Sequence, residues 1–133
     1  MIRFFSGCLI FVVGGLWFSG ALAASVVFLN PGSAPDPYWS SYSRFMQAAA
    51  DRLGMKLQIY YTDRDTRTLL TLARKALLGS DRPDYLVFSN ELNVAPEVLR
   101  LSVGSGVKLL AVNNTFTADQ LSILGDLRSR YPD

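Results

Sequence analysis

The sequence has no histidine and a single cysteine, Cys8. Without histidine there is no imidazole base, no histidine metal cluster and no Ser-His or Cys-His nucleophile pair. An excess of one charge sign is lacking too: 13 basic residues stand against 11 acidic ones, a net charge of +2 spread along the chain. That imbalance is too small and too scattered for a nucleic-acid partner. Internal repeats, charge runs and low-complexity tracts do not occur. What is there is apolar bulk. Of 133 residues, 50% are hydrophobic and 18% charged, which suits one packed domain and is too short for two.

Residues 1–24 read as a targeting segment. Met1-Ile2-Arg3 is a short basic start, Cys8 to Phe18 an apolar run, and Ser19-Gly20-Ala21-Leu22-Ala23-Ala24 a small-residue exit with an A-x-A pattern. The reading is a secretory signal cleaved after Ala23 or Ala24. The alternative is an uncleaved anchor, since no charge occurs between Phe4 and Pro35. The dense apolar part, however, falls short of the ~18 residues a span needs. Gly7-Cys8 precedes the apolar run, where a lipid-acceptor cysteine would follow it. Cleavage removes Cys8, so the exported part has no disulfide, no thiol nucleophile and no thiolate metal site. No metal or cofactor is expected.

Residues 25–133 alternate strand and helix. Ser25-Val26-Val27-Phe28-Leu29-Asn30 is a continuous apolar run, the pattern of a parallel strand buried on both faces. Past a proline-rich loop, Tyr38, Tyr42, Phe45, Met46, Ala49 and Leu53 recur at helical spacing, with Gly54 as stop. Lys56 to Tyr61 alternates as a second strand. Asp65 caps a helix with the stripe Leu69, Leu72, Ala73, Ala76 and Leu77, ending at Gly79. Tyr85 to Phe88 is a third strand, and Asn93 caps a third helix running through Val98, Leu101 and Ser105 to Gly106. Lys108 to Val112 is a fourth strand. Thr117-Ala118-Asp119-Gln120 is a capping box opening a last helix through Leu121, Leu124 and Leu127 or Arg128. The order βαβαβαβα predicts an α/β fold, a three-layer parallel sheet with helices on both faces. Tyr131-Pro132-Asp133 reads as a connection with no strand after it, so the expectation is an incomplete sheet, from a truncated gene product or a fragment.

Ligands of open parallel sheets sit outside the carboxyl ends of the strands. The first strand is followed by Asn30 and Asp36-Pro37-Tyr38-Trp39, the second by Thr62-Asp63-Arg64-Asp65, the third by Ser89-Asn90-Glu91 and the fourth by Asn113-Asn114-Thr115. Carboxylates and amides take vicinal hydroxyls, and aromatic faces stack on the C–H face of a sugar ring. The candidate ligand-binding residues are therefore Asp36, Tyr38, Trp39, Asn90 and Asn113, with Asp63 and Glu91 as lesser members. Structural readings stand beside these. Asp36 and Asp65 suit helix caps, Tyr38 and Trp39 extend the core stripe, and Asn90 and Asn113 suit turns. Arg64 reads either as a selector for an acidic sugar or as a solvated side chain. No catalytic residue is expected. Ser105-Gly106-Val107-Lys108 matches S-x-x-K but crosses from a helix end through glycine into a strand, which is the wrong geometry.

Over residues 25–133 the chain resembles the N-terminal lobe of type I periplasmic binding proteins, the ribose- and galactose-binding-like receptors of bacterial sugar ABC transporters. The most specific piece is Val26-Val27-Phe28-Leu29-Asn30, its loop, and Asp36-Pro37-Tyr38-Trp39-Ser40 leading into a helix that ends Ala48-Ala49-Ala50-Asp51-Arg52-Leu53-Gly54. Asp36 stands where the family usually has Asn. Arg82-Pro83-Asp84-Tyr85-Leu86-Val87-Phe88 matches a Pro-Asp-hydrophobic strand, and Asn113-Asn114-Thr115-Phe116 falls where the family often places a ligand-binding Asp or Asn. The resemblance implies a periplasmic, non-enzymatic receptor for a sugar or polyol that docks with an inner-membrane ABC permease or a sensor protein. It also implies a second lobe, missing here, for tight binding. The alternative is a sensory module serving a histidine kinase or chemoreceptor.

Overall fold

The computed structural model describes residues 23–114 and 116–124. Most of the targeting segment 1–24, and the end of the last helix with the Tyr131–Asp133 connection, lie outside the described residues. The order is β1 (Ser25–Asn30), α1 (Pro37–Leu53), β2 (Lys56–Tyr61), α2 (Thr66–Leu78), β3 (Tyr85–Ser89), α3 (Ala95–Ser102), β4 (Lys108–Val112) and α4 (Ala118–Leu124). All strand pairs are parallel, and the sheet order is β2-β1-β3-β4.

Alternation along β1 builds both faces of the core. Val27 and Leu29 point to one side, where Leu86 and Phe88 of β3 join Leu69, Ala73 and Leu77 of α2 and Val98 and Leu101 of α3. Val26 and Phe28 point to the other, where Val87 meets Trp39, Tyr42 and Met46 of α1. A central strand covered on both sides must be apolar at every position, which is why β1 reads as an unbroken hydrophobic run. The edge strands are only half covered. Lys56, Gln58 and Tyr60 of β2 face solvent, and Leu110 of β4 is 53% exposed.

Helix ends follow local chemistry. Asp36 caps α1 by accepting the N–H groups of Tyr38 and Trp39, with Pro37 at the first helical position. Gly54 closes α1 in the left-handed region at φ 65°. Asp65 caps α2 by accepting the Arg67 N–H at 2.9 Å and the Thr68 hydroxyl at 2.7 Å. The capping box of α4 forms as its spacing predicts: the Gln120 N–H donates to Thr117 Oγ1 at 3.2 Å and the Thr117 N–H to Gln120 Oε1 at 3.0 Å.

The third helix departs from expectation at both ends. Asn93 is not its cap; it sits in the left-handed region at φ 54°. The cap position is Val94, which makes no side-chain bond. Instead Asn90 Oδ1 accepts the Ala95 N–H at 3.0 Å from the end of β3. The helix stops at Ser102, before Ser105 and Gly106. There the chain turns through Gly104 and Gly106 at φ 74° and 76°, while the Ser105 carbonyl is held by Arg82 Nη1 at 2.9 Å. Two glycines in a conformation costly for other residues make a loop where periodicity alone reads helix.

Gly32 is required by packing. A Cβ there would lie 2.6 Å from Cβ and Cγ of Trp39, the anchored part of a side chain that is 2% exposed. Gly32→Ala is expected to destabilise the chain by about 1–3 kcal/mol through overpacking. Denaturant unfolding followed by circular dichroism checks this; an unchanged midpoint would contradict the placement of Trp39.

Candidate functional site

The strand tips are organised by Asn30, whose side chain is fully buried. Its Nδ2 donates to the Trp39 carbonyl at 3.0 Å and to Ser43 Oγ at 2.8 Å, and its Oδ1 accepts the Gly32 N–H at 2.9 Å. Its carbonyl accepts both the N–H and the hydroxyl of Thr62, at 2.9 and 3.1 Å. The loop after β2 is stitched to the loop after β1 as well: the Asp63 N–H donates to the Gly32 carbonyl and the Arg64 N–H to that of Pro31. Asp63 and Arg64 are both left-handed, at φ 50° and 54°. This strained turn aims the Arg64 side chain back across the rim.

There Arg64 bridges two carboxylates. Its Nη2 lies 3.0 Å from Asp36 Oδ2 and its Nε 3.5 Å from Glu91 Oε1. The loops after β1, β2 and β3 thus meet in one charged cluster. Arg64 is half exposed, so the pairs are solvent-screened and add little stability; what they fix is position. Glu91 Oε2, which is buried, meets no hydrogen-bond donor among the described residues. Beside this cluster the Tyr38 hydroxyl donates to Asn113 Oδ1 at 2.7 Å. That bond joins the start of α1 to the loop after β4, where Asn113 is left-handed at φ 71°.

Of the residues singled out from the sequence, the structure brings Asp36, Tyr38, Glu91 and Asn113 together on this rim. Asp63 is exposed on the adjoining loop. The other two are turned inward. Trp39 packs against Phe28, Tyr42 and the edge of Tyr38, so its ring fills the core and offers no stacking face to a ligand in this structure. Tyr38, 55% exposed, is the aromatic that faces out. Helical geometry splits the pair: adjacent residues point about 100° apart, so only one can join the stripe carried on by Tyr42 and Met46. Asn90 is 3% exposed, and its Nδ2 donates to Gln120 Oε1 at 2.8 Å. It links β3, α3 and α4. Sequence reasoning placed Arg64 near the rim, as an acidic-sugar selector or a solvated side chain, and did not foresee that it bridges Asp36 and Glu91. The signal that would have found it is the run Asp63-Arg64-Asp65 at a strand tip, where one cation among acids is placed to bridge them.

An open groove of about 640 Å³ lies at the other end of the sheet, lined by Ser25, Arg82, Asp84 and Lys108 among others. It is remote from the rim, and its lining holds none of the candidate residues.

Comparison with solved structures gives a periplasmic sugar-binding protein from Pseudomonas fluorescens at 55% identity and a TM-score of 0.68, matching 73% of this chain. The chain spans about 30% of that protein's length. No family model matches the chain, and no curated protein does. The resemblance seen in the sequence and the α/β parallel-sheet fold expected from it both hold: this chain is a relative of a periplasmic sugar-binding protein and shares the fold of part of it.

The Asp36 carboxyl is held below its ordinary pKa of 3.8, first by the Trp39 backbone N–H and then by Arg64. Asp65, Asp84 and Glu97 are lowered as well. A depressed folded-state pKa contributes stability above the unfolded value and loses it as pH falls toward the folded one. Stability is therefore expected to hold at about pH 5–7 and to decline below about pH 4. Asp36→Asn keeps the helix cap but removes the charge, so its acid-side decline should be shallower in denaturant titrations at several pH values.

Proposed function

We propose that this chain is the solute-capturing N-terminal lobe of an exported sugar receptor that serves an inner-membrane ABC permease. The observation that carries the reading is the convergence of Asp36, Tyr38, Arg64, Glu91 and Asn113 on one rim, on a chain 55% identical to part of a periplasmic sugar-binding protein. Four separate strand tips contribute to that rim, which is where open α/β sheets hold ligands.

The chemistry fits a polyhydroxy ligand. Asp36, Glu91 and the Asn113 carbonyl accept from hydroxyls, and the arginine and asparagine N–H groups donate to them. Tyr38 presents a ring and a hydroxyl at one edge. Among the described residues of the rim no nucleophile is paired with a base, and the role we assign is binding without turnover. Residues 1–24 act as the export signal that delivers the lobe to the periplasm.

A single lobe supplies one wall of such a site. On this reading a second lobe supplies the other, and closure between the two excludes water and gives affinity. The exported chain alone should therefore bind neutral pentoses or hexoses weakly, in the millimolar range. NMR titration should show amide shifts confined to the loops after β1 to β4. Tyr38→Ala should weaken binding about three- to tenfold through loss of one hydrogen bond and a ring contact. Shifts centred elsewhere, or none at saturating sugar, would overturn the proposal.

A further inference from the structure

At the start of β1 the peptide unit between Ala24 and Ser25 has both of its polar groups tied into the fold. Its carbonyl, on Ala24, accepts the Lys56 N–H at 2.8 Å and so extends the β1–β2 ladder backward by one bond. Its N–H, on Ser25, donates to Asp84 Oδ2 at 2.7 Å. The Ser25 hydroxyl donates to the same carboxylate oxygen at 2.8 Å and accepts the Asp84 N–H at 3.0 Å. Asp84, at the turn into β3, thus clasps the first residue of β1 through three bonds. One residue earlier the character changes: Ala24 is half-buried and Ala23 is exposed.

A peptidase binds the chain extended and needs the polar groups around the scissile bond for itself. In the folded domain those of the Ala24–Ser25 unit are already committed. Side-chain size points the same way. A leader junction takes small residues one and three positions before the cut. Cutting after Ala23 places Ala23 and Ala21 there, whereas cutting after Ala24 places Leu22 at the further position.

We infer that the leader is removed by hydrolysis of the Ala23–Ala24 bond, leaving Ala24 as the first residue of the exported chain. Water adds across that amide, giving a carboxyl group on Ala23 and an amine on Ala24, and the clasped 24–25 unit is untouched. Before β1 pairs, small side chains select this bond; afterwards, access selects the same one. Cutting one residue later would strip Lys56 of its acceptor. The inference rests on the export reading above, and it goes further by choosing between two junctions that the sequence leaves open.

The test is expression of the full chain in a bacterial host, with intact mass and N-terminal sequencing of the exported and membrane fractions. The expected product begins Ala24-Ser25-Val26. A product beginning at Ser25 overturns the inference and leaves export standing. An unprocessed chain kept in the membrane overturns both. Leu22→Ala makes both junctions permissive by size, so that only the fold distinguishes them. The major species should still begin at Ala24; comparable amounts beginning at Ser25 would overturn the role given to the clasped peptide.

Discussion

Asn30 ends β1 with its carbonyl and its side-chain amide both committed to other elements. The amide reaches Trp39 and Ser43 on α1 and turns the chain at Gly32, while the carbonyl holds Thr62 after β2. A buried amide is costly unless its donors and acceptors are met. Here they are met only when helix, loop and neighbouring strand stand in one arrangement. That requirement sets the start of α1, and with it Asp36 as cap and Tyr38 as the first outward ring. The rim is a consequence of this buried hub.

The electrostatics of the rim follow from the same constraint. Asp36 serves at once as helix cap and as partner to Arg64, so one carboxylate anchors the start of α1 and positions a cation. Arg64 carries that order on to Glu91. Loops after three strands are thereby held in fixed relation. A surface that receives a ligand needs such pre-ordering, because loops left free must pay entropy on binding.

Most of the architecture was legible in the sequence because its signals are local. The continuous apolar run of β1, the stripe of α2 and the Thr117/Gln120 capping box all appear where periodicity and capping chemistry put them, whereas the α1 stripe is rotated: Trp39, Ser43 and Ala50 are buried while Tyr38, Phe45 and Leu53 of the expected face are exposed. The third helix was misjudged because its ends are set by residues outside it. Asn90 caps it from β3, and Arg82 holds the loop that replaces its last turn. The site was half legible for the same reason. Which strand tips converge follows from topology, but whether Tyr38 or Trp39 turns outward depends on the rotation of α1, which packing against Phe28 decides. Asn90 carries the polar label of a ligand contact, yet its partner Gln120 lies thirty residues away.

The inward position of Trp39 has a spectroscopic corollary. The chain has two tryptophans, Trp17 and Trp39, and the first falls within the segment read as the leader. With that segment removed, indole emission would come from one site, sealed between Phe28 and Tyr42 beneath the start of α1. It is shielded from aqueous quenchers and reports the opening of that face of the sheet rather than the arrival of a solute.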